Sequence, residues 1–224
     1  RGVFRTDLYK TLKKSGCKLI VICPAANESY LQKELGEDVI LELYPSSFKV
    51  GVGEKIFSVL ANSFLFSHPL CTRTLALKWV ISLGEKAYLS FLGKGFSALF
   101  RLDRIRWLRL WIERIDCRLF SNATARHLIN KYEPNLIVTT DLFGTDFYFV
   151  REAVKQNIET ICLVKSWDNL TSKTRIRAHP DWMIVWSEHQ KREAMKLHFF
   201  PENKILVKGA LNFDHLANPE FKVK

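Results

Sequence analysis

The nine residues Lys165-Ser166-Trp167-Asp168-Asn169-Leu170-Thr171-Ser172-Lys173 concentrate side chains suited to holding a ligand. Trp167 offers a flat apolar face and Asp168 a charge or proton acceptor. Ser166, Asn169, Thr171 and Lys173 supply orienting hydrogen bonds. The stretch directly follows an apolar β-type run, Thr160-Ile161-Cys162-Leu163-Val164. In open α/β sheets, ligands bind just outside the carboxyl ends of strands. A purely structural turn of this length draws more on glycine, proline and simple charges.

Three further stretches end apolar runs in the same way. Asp141 closes Asn135–Thr140 and precedes Leu142-Phe143-Gly144. It suits either contact with a sugar hydroxyl or anion network, or capping of its own loop. With Asp168 it makes two carboxylates at successive strand ends, a pair able to act as acid and base or to orient a substrate. Ser187-Glu188-His189-Gln190 opens a helix, where Ser187 reads as a cap with Gln190 at the capping-box position. His189 is open to anion binding or proton transfer. Gly209 follows the last apolar run and permits close backbone approach.

The elements that position these residues alternate. Leu8–Lys14 reads as a helix, Lys18–Cys23 as a strand, Asn27–Leu35 as a helix capped by Asn27, and Val39–Leu43 as a strand. Later strands are expected at Asn135–Asp141, Glu159–Val164, Trp182–Trp186 and Lys204–Lys208, with helices at Thr145–Gln156 and after Ser187. This rhythm predicts an α/β fold: a Rossmann-like parallel sheet with helices on both faces. A doubly wound domain begins with a strand, so one is expected ahead of Leu8.

Between residues 54 and 132 the pattern is helical, at Ile56–Phe66, Thr72–Leu92 and Leu102–Lys131 with a break near Ser121-Asn122. It reads as a helical insertion in a single lobe spanning residues 1–217, with 218–224 as tail or linker. On a helical wheel Ile105, Leu108, Trp111, Ile112, Ile115 and Leu119 share one face, the side of an amphipathic helix that packs. Trp107, Leu110, Arg114 and Arg118 lie together elsewhere on it, and the segment also holds arginines 101, 104, 106 and 109. That combination suits an anionic membrane surface, or simply a solvated basic face.

With 224 residues, 47% of them hydrophobic, the chain can bury a core without disulfides or metals. Its five scattered cysteines contain no CxxC pair, which fits a reducing compartment and makes a zinc site improbable. The net charge of +11 is compatible with nucleic acid, anionic membrane or phosphorylated small molecules. No nucleic-acid-binding signature is present. P-loop, GxGxxG, HExxH and GxSxG motifs are absent, so ATP hydrolysis, dehydrogenase, zinc-protease and α/β-hydrolase readings lack support. The longest run without Asp, Glu, Lys or Arg, Ile56–Thr72, contains Asn62, His68 and Pro69 and makes a poor membrane span.

The block from Ser166 to Lys173, with Trp186–Ala194 and Val207-Lys208-Gly209-Ala210 plus Phe213-Asp214, resembles GT-B-type glycosyltransferase-like proteins of bacterial surface-polysaccharide biosynthesis. More distantly it is similar to UDP-N-acetylglucosamine 2-epimerase and the CDP-glycerol glycerophosphotransferases. The resemblance covers Pro134–Asp214 and implies the amino-terminal, acceptor-side lobe of a two-lobed enzyme. The partners it implies are a glycan or lipid-linked acceptor and a nucleotide-sugar donor held by a carboxyl-terminal lobe. No cofactor and no metal are implied, nucleic acid is not an expected partner, and the location is cytoplasmic, at most peripheral on the inner membrane face. The roles carried over are Asp168 and then Asp141 as catalytic base. Ser166, Trp167, Asn169, Thr171, Lys173, Glu188, His189 and Gly209 are carried over as substrate contacts. Asp168 stands in a loop like the catalytic glutamate loop of the epimerases, but the residue and its neighbours differ. Two other readings remain: an epimerase-like enzyme, and a non-catalytic module that binds an anionic glycan or a membrane surface.

Overall fold

A computed structural model of the chain describes residues 7–46, 48–64, 106–173, 176–210 and 213. The expected helix at Thr72–Leu92, and Arg101, Arg104 and Asp214, lie outside them. The chain forms two compact units, residues 1–48 with 208–224, and residues 49–207.

The first unit contains α1 (Asp7–Lys14), β1 (Ile20–Cys23), α2 (Ser29–Leu35) and β2 (Ile40–Leu43). The strands pair in parallel with Ile20 opposite Ile40 and Cys23 opposite Leu43. Leu31, Leu35 and Val39 form the buried core, flanked by Tyr9, Val21 and Leu41. Tyr9 and Lys13 both donate to the Leu35 carbonyl, at 2.7 and 2.9 Å, so α1 closes the open end of α2. Asn27 is not the cap of α2. Backbone turns from Ala26 to Cys23 and from Glu28 to Ala25 carry the chain past it, and Glu28 takes the cap position without a side-chain bond.

The second unit begins with α3 (Val52–Phe64), α4 (Arg106–Leu119) and α5 (Ala123–Tyr132). The expected break between α4 and α5 is present and has a specific cause. The Asn122 side chain accepts from the backbone N–H groups of Thr124 and Ala125, both at 3.1 Å. The buried Glu152 carboxylate accepts from Ser121 Oγ and Asn122 N, fixing the corner from the other side.

The sheet of this unit comprises β3 (Leu136–Thr139), β4 (Glu159–Leu163), β5 (Trp182–Val185) and β6 (Ile205–Val207). The strands are all parallel and stand in chain order. The connections carry α6 (Asp146–Gln156), the short α7 (Asn169–Ser172) and α8 (Glu188–His198). Helix α6 packs on β3 and β4, and α8 on β5 and β6. Alternation in the strands sends Thr139, Thr160, Cys162, Met183, Val185 and Ile205 to the buried face, where they join Val150, Leu170, Ile176 and Ala194. On the opposite face Leu136, Val138 and Leu206 are 38–40% exposed. The chain is therefore mixed α/β with parallel sheets, as the alternation predicts.

Helix α4 departs from the wheel. Ile112 is buried, but Trp111 and Leu119 face outward, and the inward positions include Glu113 and Asp116. The reason is Arg151, fully buried on α6. Its Nη1 lies 2.6 Å from Glu54 and 3.2 Å from Asp116. Arg177 adds a second cation 3.0 Å from Asp116. Burying an arginine requires buried carboxylates around it, and that requirement turns the acidic side of α4 inward.

Candidate functional site at the carboxyl ends of β3, β4 and β5

Strand β4 continues past Leu163 by one ladder bond, Val164 N to Ile184 O at 2.9 Å, and then breaks away. Two side chains from the β5 side hold the departing backbone. Trp186 Nε1 donates to the Val164 carbonyl at 2.7 Å, and Gln190 Nε2 to the Ser166 carbonyl at 3.1 Å. Gln190 Oε1 in turn accepts from Trp186 N at 2.8 Å. The buried Gln190 carboxamide thus ties two strand-end loops to the first turn of α8, while Ser187 caps that helix as expected.

The loop then folds around Asp168. Ser166 Oγ donates to Oδ1 at 2.6 Å and Ser172 Oγ to Oδ2 at 2.8 Å. The hydrogen bond from Ser166 lowers the Asp168 pKa below the usual carboxylate range, and the one from Ser172 adds to it against the cost of partial burial. Both oxygens of this carboxylate are occupied, so it is an anion with reduced basicity. Its backbone carbonyl accepts from the Thr171 hydroxyl, which turns the buried Thr171 inward. Beneath the loop lies the buried His198. Its Nδ1 accepts from Ile176 N at 3.1 Å, and its Nε2 stands 2.8 Å from the Leu170 carbonyl. These partners assign the tautomer with the proton on Nε2.

Trp167 stands at the surface, 69% exposed, while Asn169 and Lys173 are half-buried. Asp141 leaves the neighbouring strand end: Thr139 pairs with Cys162, placing Asp141 and Val164 each two residues beyond that pair. Asp141 Oδ1 accepts from Phe143 N at 2.8 Å, and Oδ2 lies 2.7 Å from where a Cβ on residue 144 would sit. A side chain at residue 144 would push the Asp141 carboxylate out of this position. Asp146 Oδ2 receives the N–H groups of Thr140 and Asp141, so a second aspartate shapes this turn.

Glu188 and His189 are exposed at the start of α8, and His189 pairs along its own helix with Glu193 at 3.0 Å. Gly209 lies in the other unit with φ of 81°; apart from its chain neighbours, no atom of the described residues comes within 4 Å of the Cβ a side chain would add. Its conformation, rather than close packing, calls for glycine there.

At the opposite end of the sheet Asp181 Oδ2 accepts from both Thr160 N and Thr160 Oγ1 at 2.8 Å, a brace that ties β4 to β5. A cavity of about 380 Å³ lined by Ile129, Asn130, Glu133, Pro134, Gln156 and Ile158 opens beside the amino ends of β3 and β4, away from the Asp168 loop. Burial pushes the Cys117 thiol up to about 11 and the Cys162 thiol higher still, so neither is a thiolate nucleophile. No group of His, Cys, Asp and Glu residues suited to a metal ion occurs among the described residues.

Trp186, Gln190 and His198 organise the loop, yet none of them stands out as a site residue in the sequence. Gln190 signals itself only as a capping-box residue. His198 shows as a lone polar residue in the apolar run Leu197–Phe200. The chain matches no family model, no curated protein and no solved structure.

Proposed function

We propose that the second unit is the acceptor-side lobe of a glycosyltransferase-like enzyme of cell-surface polysaccharide or glycolipid synthesis, with the acceptor held over the Asp168 loop. The observation that carries this reading is the placing of three neighbouring parallel strand ends on one edge. They present Asp141, Ser166–Lys173 and Ser187–His189, and Gln190 and Trp186 lock the second and third of these loops together. Ligands of open α/β sheets bind at such an edge. The exposed Trp167 offers a face for the apolar C–H side of a pyranose ring. A carboxylate and several hydroxyls suit its O–H groups.

The two carboxylates differ in aptitude. Proton abstraction is most efficient when the base has a pKa near the working pH. Asp168, held anionic by two serine hydroxyls, is better suited to fixing an acceptor hydroxyl than to removing its proton. Asp141 has no donor on Oδ2 among the described residues, so that oxygen is the one left to take a proton. The same satisfied carboxylate supports a second reading, a glycan-binding module without proton transfer.

A transfer assay with a nucleotide-sugar donor and a soluble short-prenyl glycolipid acceptor tests the assignment. Asp141→Asn removes turnover and keeps acceptor binding, while Asp168→Asn weakens binding. Turnover unchanged by Asp141→Asn, or conversion of the nucleotide sugar without acceptor, contradicts it.

A further inference from the structure

Helix α4 segregates its charges. Its two acidic residues, Glu113 and Asp116, are buried, and Asp116 is neutralised by Arg151 and Arg177. The outward side carries Trp107, Trp111, Arg114 and Arg118, spaced four, three and four residues apart along one stripe. Trp107 is 68% exposed and Trp111 59%, while Leu119, the last residue of the helix and off this stripe, is 71% exposed. Neither Arg114 nor Arg118 is paired among the described residues. Every described charge on the surface of this helix is therefore positive, and the apolar groups on the stripe are two indoles.

A partner for this stripe has to do two things at one depth: take indole side chains out of water, and present negative charge to the guanidinium groups beside them. The boundary of an anionic bilayer does both, since indoles settle at headgroup level and arginines reach the anionic lipids. No described helix is long and apolar enough to cross a membrane, so the contact is one in the interface plane. The net charge of +11 adds long-range attraction. Single-stranded nucleic acid also stacks on aromatic side chains, but within a basic groove. A convex helix face offers no such groove.

We propose that the Trp107–Trp111–Arg114–Arg118 stripe of α4 docks the protein on the surface of an anionic lipid bilayer. The proposal goes beyond the sugar-transfer reading and stands without it.

Co-sedimentation of the full chain with mixed phosphatidylglycerol–phosphatidylcholine vesicles, against phosphatidylcholine alone, tests it. Binding is expected only to the anionic vesicles, and weakened at high salt. Each arginine near an anionic surface contributes about fivefold in affinity, so the pair Arg114→Gln and Arg118→Gln lowers partitioning roughly thirtyfold. The pair Trp107→Ala and Trp111→Ala lowers it by about tenfold or more. All four side chains are exposed, and unchanged circular dichroism verifies that the variants fold. Quenching of tryptophan emission by brominated-chain phosphatidylglycerol gives an independent readout on the unmodified protein. Three results overturn the proposal: no binding to anionic vesicles, binding that neither pair weakens, or tighter binding to a single-stranded oligonucleotide that the same pairs abolish.

Discussion

The carboxamide of Gln190 donates to the carbonyl of Ser166 across 3.1 Å, joining the first turn of α8 to the loop that holds Asp168. Because the same carboxamide accepts from Trp186 N, one buried side chain sets the geometry of two strand-end loops. Replacing it by leucine leaves a partly buried N–H and a partly buried carbonyl without partners, at about 1 kcal/mol each. Gln190→Leu is expected to lower the urea midpoint clearly more than Ser187→Ala, which loses a helix cap of about 1 kcal/mol. Equal losses would show that the bridge contributes nothing beyond capping.

Asp168 gives a pH signature. Its folded pKa lies below the unfolded value, so its contribution to stability is fully present above about pH 4 and disappears as pH falls through the folded value. Asp168→Asn is therefore expected to be less stable than the parent chain at neutral pH and to approach it in acid. Denaturation midpoints across that range provide the check, and a pH-independent difference would refute the hydroxyl clamp.

The ionic cluster beneath α4 behaves in the opposite sense. Desolvation holds the Asp116 carboxyl above its ordinary range, against the pull of Arg177 and Arg151. Arg151→Ala leaves Glu54 without its buried cation and Asp116 with Arg177 alone, at about 3–5 kcal/mol. A carboxyl raised in the folded state makes stability rise as pH falls through the raised value, so the variant's deficit should shrink in mild acid. A deficit that grows in acid would argue against Asp116 as the stranded charge.

Thiol labelling separates the cysteines. Cys17 is exposed, whereas Cys117 and Cys162 are shielded with raised pKa values. At pH 8 the native protein is expected to label at Cys17 and to protect Cys117 and Cys162 until it unfolds. Rapid native labelling of Cys162 would contradict the packing of β4 against its neighbours.

The strands of the second unit were legible because each is a short apolar run closed by a polar strand-end loop, and observed boundaries fall within one or two residues of expectation. The corner at Ser121-Asn122 was legible as a break in the helical pattern, whereas its cause, the Asn122 cap and the Glu152 carboxylate, was not. What sequence could not show was long-range electrostatics. Arg151 looks like a surface residue of an amphipathic helix until Glu54 and Asp116, 97 and 35 residues away, are brought to it. That pairing turned the buried face of α4 towards Glu113 and Asp116 and sent Trp111 outward. The site loop was legible as composition, whereas its clamps were not: Gln190 and His198 act on backbone atoms 24 and 28 residues distant, which no local pattern encodes.

The most direct test of the central claim is an amide NMR titration of the chain with a soluble short-prenyl glycolipid carrying N-acetylglucosamine. The account predicts saturable shifts at Ser166–Lys173 and at Phe143 and Gly144, lost in Trp167→Ala. Shifts confined to the cavity beside Ile129 and Pro134, or an unperturbed Asp168 loop at saturation, would contradict it.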